Sequence, residues 1–144
     1  MKKIKFFLMA IICLVVSNVA KADDDTPIPV EQLPAAAKSF VYSNFEGRKI
    51  IYAEMDRDSY ECRLDNGTKV KFDRRGTWKK VDCEGMTVVP AALVPAAILQ
   101  YVKVNFAGCS VTKIDKEHHG YDIELSNDLE LKFNHQGMLV GIDD

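Results

Sequence analysis

The fold is decided by the stretch Tyr60–Phe72, YECRLDNGTKVKF, in which apolar and polar residues alternate on both sides of an Asp-Asn-Gly turn. Alternation with a period of two is typical of strands that bury one face, and Asp-Asn-Gly is a strong hairpin signal. The stretch therefore predicts an antiparallel hairpin with one covered and one solvated face. The inward residues would be Tyr60, Cys62, Leu64, Val70 and Phe72, and the outward ones Glu61, Arg63, Lys69 and Lys71.

This hairpin belongs to a unit that the chain contains twice. The segment Ile28–Asp82 matches Val89–Asp143 without a gap when it is shifted by 61 positions. A match kept in register over a whole unit indicates two copies of one supersecondary module. Identical pairs include Pro34 and Pro95, Phe45 and Phe106, Gly47 and Gly108, Tyr60 and Tyr121, Leu64 and Leu125, Phe72 and Phe133, and Gly76 and Gly137.

Each copy is predicted to contain one helix followed by four strands. Apolar residues recur at three- and four-residue spacing from Leu33 to Phe45, and again from Val94 to Phe106, as in a helix with one buried stripe. The strands of the first copy are predicted at Arg48–Asp56, Ser59–Asp65, Thr68–Asp73 and Thr77–Asp82.

The expected fold class is α+β. It consists of two tandem repeats, 28–82 and 89–143, each a helix plus a four-stranded antiparallel sheet, with the helices packed on one face of the sheet. Because the linker Cys83–Val88 is short, the repeats should form a single compact domain, 23–144. One sheet continuous across both repeats and two separate half-sheets both agree with the sequence.

The N-terminus reads as an export signal, residues 1–22. The basic segment Met1–Lys5 precedes the apolar run Phe6–Val16, and Ala20-Lys21-Ala22 offers a small-residue cleavage site. The run is shorter than the roughly 20 residues that span a bilayer. We therefore expect a periplasmic or secreted protein with no membrane insertion after cleavage.

Three cysteines follow the predicted cleavage site. Cys62 stands at an inward strand position and is expected to pack as a small hydrophobe. Cys83 and Cys109 lie just outside predicted elements, so any disulfide would join this pair, since an exported protein can form one. No Cys-x-x-Cys motif is present.

The histidines do not suggest an enzyme. His118 and His119 lie at one predicted turn and His135 at another, with no nucleophile set beside them in the sequence. These turns share one end of the sheet, so the three histidines are weak candidates for a metal site. Exposed turn histidines are the simpler interpretation, and no cofactor is indicated.

Charge differs between the repeats. Segment Ile28–Asp82 carries 11 Lys and Arg against 9 Asp and Glu, whereas Val89–Asp144 carries 4 against 8. A bipolar outer face would orient a protein partner of complementary charge. The net charge of −2, without an extended basic tract, does not favour nucleic acid as the partner.

The predicted contact residues are Arg63, Lys69, Lys71, Glu124, Glu130 and Lys132. The candidate aromatic anchors are Tyr42, Tyr52 and Trp78.

The doubled framework resembles the PepSY-like family, also described as β-lactamase-inhibitor-protein-like. The resemblance rests on Pro34, Phe45, Gly47, Tyr60, Leu64, Phe72 and Gly76 with their partners 61 positions later. It implies a β-lactamase-inhibitor-like two-layer sandwich and a small exported binding module, in some cases one that restrains a hydrolase. The predicted function is thus a non-enzymatic protein-binding module, an inhibitor or regulator of an extracytoplasmic hydrolase. The alternative is a small-ligand or metal-binding periplasmic carrier.

Overall fold

The computed structural model describes residues 25–144, so the predicted signal peptide lies outside the described residues. Over these residues the fold is α+β, with two α-helices and an antiparallel sheet. A short strand, β1 (Thr26–Pro27), precedes the first repeat. That repeat contains a 3-10 turn (Val30–Gln32), α1 (Ala35–Asn44), β2 (Ile50–Asp56), β3 (Ser59–Leu64), β4 (Lys69–Asp73) and β5 (Trp78–Asp82). The second contains a 3-10 turn (Ala91–Leu93), α2 (Ala96–Asn105), β6 (Val111–Glu117), β7 (Gly120–Leu125), β8 (Glu130–Asn134) and β9 (Leu139–Asp143).

The two helices begin and end in the same way. Each starts directly after a proline, Pro34 or Pro95, whose fixed φ suits entry into a helix. At the other end, the side-chain amides of Asn44 and Asn105 donate to carbonyl oxygens one turn earlier, at 2.9 and 3.0 Å. These bonds attach each asparagine side chain to the last turn of its own helix.

All nine strands form one sheet in sequence order, and every neighbouring pair is antiparallel. The repeats join between β5 and β6, where Val81 lies opposite Ile114. The sheet is therefore continuous, which resolves the alternative left open by the sequence. The short strand β1, which pairs Thr26 with Met55, was not among the predicted strands.

The core follows one row of side chains across this sheet. Cross-strand pairing links Ala53, Cys62, Val70, Val81, Ile114, Ile123, Leu131 and Ile142 in that order. All but the last are buried. The Phe40 ring of α1 lies 5.8 Å from Phe72, and the Tyr101 ring of α2 lies 5.5 Å from Phe133, both edge-on.

The three described cysteines are all free, so the structure does not contain the suggested Cys83–Cys109 disulfide. Cys83 is buried after β5, where its N–H donates to the Thr112 carbonyl, and burial raises the pKa of its thiol. Cys109 is half-exposed in the loop before β6. Cys62 is buried as predicted, and burial raises the pKa of its thiol to about 12.

Candidate functional site

The face of the sheet opposite the core row carries two rows of polar and charged side chains. Successive residues of a strand point to opposite faces, so the neighbours of core residues project outward. The first outer row consists of Tyr52, Arg63, Lys69, Asp82, Lys113, Glu124, Glu130 and Asp143. The second outer row consists of Glu54, Glu61, Lys71, Lys80, Asp115, Asp122, Lys132 and Gly141.

All six predicted contact residues lie in these rows. Arg63, Lys69, Glu124 and Glu130 belong to the first outer row, and Lys71 and Lys132 to the second. Their common face could be predicted from the sequence, because the alternation of apolar and polar residues gave the strand faces and the turn residues gave the hairpin registers. The structure adds that β5 and β6 bring the two groups onto one continuous surface.

Two of these lysines already have acidic neighbours. Lys69 Nζ lies 2.9 Å from Glu84 Oε1, and this pairing raises the pKa of Lys69 and lowers that of Glu84. Lys132 Nζ lies 3.9 Å from Glu130 and 3.7 Å from Asp143. Exposed ion pairs of this kind contribute about 0–1 kcal/mol each, so a partner can replace them at small cost.

Paired carboxylates occupy equivalent places in the second outer row. Glu54 lies opposite Glu61 in the first repeat, and Asp115 lies opposite Asp122 in the second. Burial, followed by the neighbouring Glu61, raises the pKa of Glu54. Burial, followed by the charge of Glu117, raises the pKa of Asp115. The raised pKa values of Glu54 and Asp115 show that their ionised forms are disfavoured on this face, although the Tyr52 hydroxyl donates to Glu54 at 3.3 Å.

The three histidines form no metal cluster. His135 Nε2 lies 2.9 Å from the His118 carbonyl oxygen, so the two turns do approach each other. His119 Nε2 instead lies 2.8 Å from Asp122 Oδ1. Within residues 25–144, no group of three or more His, Cys, Asp or Glu residues is placed to hold a metal ion.

Of the three candidate aromatic anchors, only Tyr52 lies in the outer rows. The Arg63 guanidinium lies 5.1 Å from the centre of the Tyr52 ring, within cation–π range. Trp78 is half-buried against the core, stacked on Phe40 at 5.8 Å and covered by Lys116 Nζ at 3.8 Å. Tyr42 is exposed on α1.

A surface groove was missed by the reasoning from the sequence. Its volume is about 610 Å³, and we call it the repeat-2 groove. It is lined by Val88, Val89, Ala91, Leu99, Val102, Lys103, Phe106, Ala107, Gly108, Cys109, Ser110 and Val111. The sequence did contain a signal. Several positions that hold a charged residue in the first repeat hold a small or apolar residue in the second.

A family model described as "Putative beta-lactamase-inhibitor-like, PepSY-like" matches residues 21–73 and again residues 58–141. Together the two matches span most of the chain. Comparison with functionally curated proteins finds no match.

Three solved structures from Bacteroides are similar. A "putative calcium-regulated periplasmic protein" from Bacteroides thetaiotaomicron is 42% identical, with a TM-score of 0.78 over 83% of this chain and 97% of that one. A "putative periplasmic protein" from Bacteroides vulgatus is 40% identical, with a TM-score of 0.78 over 85% and 99%. Another, "of unknown function" from the same organism, is 31% identical, with a TM-score of 0.79 over 83% and 99%.

These relatives confirm the predicted extracytoplasmic location, since all three are described as periplasmic. Among the helices of residues 25–144, none has the length and apolar character required to cross a membrane.

Proposed function

The chain belongs to the PepSY-like, β-lactamase-inhibitor-like family, and we propose that it is a non-enzymatic protein-binding module that uses the two outer rows of its sheet. The partner is a periplasmic protein whose surface charge complements these rows. Inhibition or regulation of a periplasmic hydrolase is the specific form that the family's description suggests.

The observation that carries this proposal is the arrangement of charge along the first outer row. Its first-repeat half contains Arg63 and Lys69 side by side, and its second-repeat half contains Glu124 and Glu130 in the same relation. Such a row distinguishes the two ends of a partner, because reversing the partner would bring like charges together.

The geometry of the sheet supports this use. We take both helices to cover the core side of the sheet, as the contacts of Phe40 with Phe72 and of Tyr101 with Phe133 indicate. Within residues 25–144, neither helix then covers the opposite face. The backbone of a sheet is already ordered before binding, so the conformational entropy lost on binding comes mainly from the long charged side chains of the outer rows.

Calcium deserves a separate test because one 42% identical relative is described as calcium-regulated. Calcium takes six to eight oxygen ligands in proteins. Asp25, Glu54, Asp56 and Glu61 line one pocket of about 160 Å³ on the outer face. They do not meet as a ligand group, since the described part of the chain contains no cluster of three suitable side chains. The residues present therefore do not form a calcium site, and the proposed protein binding does not depend on calcium.

The proposal is tested by capturing partners from periplasmic extract with the exported protein, in added calcium and in a chelator. The variant Arg63→Glu, Lys69→Glu should lose a specific partner that the parent protein retains. Its fold should persist, because Lys69 makes only a half-exposed ion pair and Arg63 is exposed. Thermal unfolding of each variant checks this.

A matched control changes the same number of charges away from the outer rows. Arg74→Glu, Arg75→Glu lies in the exposed turn between β4 and β5 and should retain the partner. Loss of the partner from both variants would indicate a response to net charge alone. Equal capture by all three proteins, or capture of nothing, would contradict the proposal.

A further inference from the structure

The repeat-2 groove has the layout of a small-molecule site. Its lining includes the buried residues Val89, Val102 and Val111 and the half-buried side chains of Leu99 and Phe106. Its volume of about 610 Å³ lies within the range of roughly 300–1,000 Å³ that is typical of ligand pockets. It lies beside α2 and the loop before β6, on residues that do not belong to the two outer rows.

Charged residues stand at the equivalent positions of the first repeat. Lys38, Glu46, Arg48 and Lys49 stand there, where the second repeat has Leu99, Ala107, Cys109 and Ser110. Lys38 Nζ donates to the Glu31 carbonyl at 3.3 Å, which ties α1 to the preceding 3-10 turn. Arg48 lies 3.7 Å from Asp65 and ties the loop after α1 to the β3–β4 hairpin.

Neither contact can form in the second repeat, because Leu99 replaces the donor Lys38, and Cys109 and Ser126 stand at the positions of Arg48 and Asp65. The Ser110 N–H instead donates to Ser126 Oγ at 3.0 Å, which attaches this loop to the β7–β8 turn without charged side chains. Four replacements that all remove charge from the lining of one groove make that lining apolar. A groove of this composition buries hydrocarbon favourably.

Among the described residues that line the groove, Lys103 alone is charged, and it stands at an exposed position of α2. A cation beside an apolar surface complements a ligand with a hydrocarbon body and an anionic head. We infer that the repeat-2 groove binds a single-chain anionic amphiphile, a free fatty acid of medium length, with its carboxylate at Lys103. This site goes beyond the protein-binding role of the outer rows and does not depend on it.

The test uses the exported protein and saturated carboxylates from octanoate to dodecanoate, which displace the fluorescent anion 1-anilinonaphthalene-8-sulfonate. Affinity should rise about fourfold per added methylene until the groove is filled. Dodecanol, with the same chain and no charge, should bind more weakly than dodecanoate. Cys109 provides a second readout, since saturating dodecanoate should slow its alkylation as mapped by mass spectrometry.

Variants at equivalent positions of the two repeats serve as matched controls. Ala107→Glu restores the first-repeat residue at an exposed position and should weaken dodecanoate at least about fivefold. Glu46→Ala makes the opposite change at the equivalent position of the first repeat and should leave dodecanoate binding unchanged. Lys103→Glu should abolish the preference for dodecanoate over dodecanol. Circular dichroism confirms that each variant retains its fold.

Several results would overturn the inference. They are an affinity independent of chain length, equal binding of dodecanol and dodecanoate, or an Ala107→Glu variant that binds as the parent does. Sedimentation with phosphatidylglycerol vesicles without binding of free carboxylates would show that the surface contacts lipid bilayers and not free fatty acids. Loss of the protein partner in the Arg63→Glu, Lys69→Glu variant, with fatty-acid binding intact, would separate the two sites.

Discussion

Val81 and Ile142 occupy equivalent positions in the two repeats, yet Val81 is fully buried and Ile142 remains 48% exposed. β5, which holds Val81, has neighbours on both sides, whereas β9 pairs only with β8 among the described strands. The same local pattern therefore makes the same strand, while the position of that strand in the sheet sets how much of it is buried.

The surfaces of the repeats differ more than their cores. Arg63 and Lys69 on the outer face of the first repeat correspond to Glu124 and Glu130 in the second. Beside the helices, Lys38 and Arg48 make contacts where the second repeat has an apolar groove. The two repeats thus share a core but differ in their surfaces. Substitutions at equivalent positions of the two repeats test where they behave alike and where they differ.

The largest effect is expected where the repeats are most alike. Phe72 and Phe133 are both fully buried, and each meets a helix aromatic edge-on. Phe72→Ala and Phe133→Ala should each lower the free energy of unfolding by about 3–5 kcal/mol. Urea unfolding of both variants measures this. A difference above about 2 kcal/mol between them would show that the two halves of the core are not equivalent.

A smaller but local effect is expected at Gly120, which stands where the first repeat has Ser59. Gly120 has φ +146°, and an added Cβ would collide with the backbone of Phe133 and Asn134. Gly120→Ala should lower the free energy of unfolding by about 2–4 kcal/mol. Ser59→Ala is the matched control and should cost less than about 1 kcal/mol. If both variants lost the same free energy of unfolding in urea, the backbone at Gly120 would not require glycine more than the backbone at Ser59 does.

The effect of the sheet edge is tested by truncating Val81 and Ile142. Val81→Ala should lower the free energy of unfolding by about 2 kcal/mol, because it leaves a cavity between two neighbouring strands. Ile142→Ala removes more atoms but should cost only about 1 kcal/mol, since half of the side chain is already in water. If Ile142→Ala proved the more costly in urea unfolding, β9 would be covered in solution, for example by a second chain.

The smallest effect, and a gain, is expected at the paired carboxylates. Since the pKa of Glu54 is raised in the folded state, its ionised form opposes folding, and that cost appears as the pH rises through the raised pKa. Glu54→Gln should therefore raise the free energy of unfolding by about 0.2–1 kcal/mol at pH 7. Asp115→Asn should do the same in the second repeat.

The gain should shrink as the pH falls through the raised pKa and should be absent at about pH 3, below the ordinary pKa of either carboxyl. Urea unfolding at both pH values checks the sign. A loss of stability at pH 7 would mean that these carboxylates make favourable contacts in solution.

Most of the framework was predictable because its signals are local and occur twice. The strand expected at Arg48–Asp56 is Ile50–Asp56, and the one expected at Ser59–Asp65 is Ser59–Leu64. The face shared by Arg63 and Lys69 followed from the same period of two. Thr26–Pro27 was missed because two residues carry no period, and its partner Met55 is remote in sequence.

Features that depend on tertiary contacts were not predictable. The joining of β5 to β6 depends on pairing between repeats, which alternation does not encode. The equivalent residue Leu139 indicated that Trp78 is buried, but its stacking on Phe40 could not be derived from the sequence. The repeat-2 groove required the knowledge that Leu99, Ala107 and Cys109 lie along one surface.

The central claim is that the order of charges along the first outer row, and not their sum, selects the protein partner. The most direct test exchanges the charges between the repeats in one variant, Arg63→Glu, Lys69→Glu, Glu124→Arg, Glu130→Lys. This variant keeps the net charge of −2 and changes only exposed or half-exposed positions.

Its affinity for the captured partner is measured by titration at two salt concentrations, beside the parent protein. We expect a loss of binding with the fold and the fatty-acid affinity intact. Retention of the parent affinity would contradict the central claim.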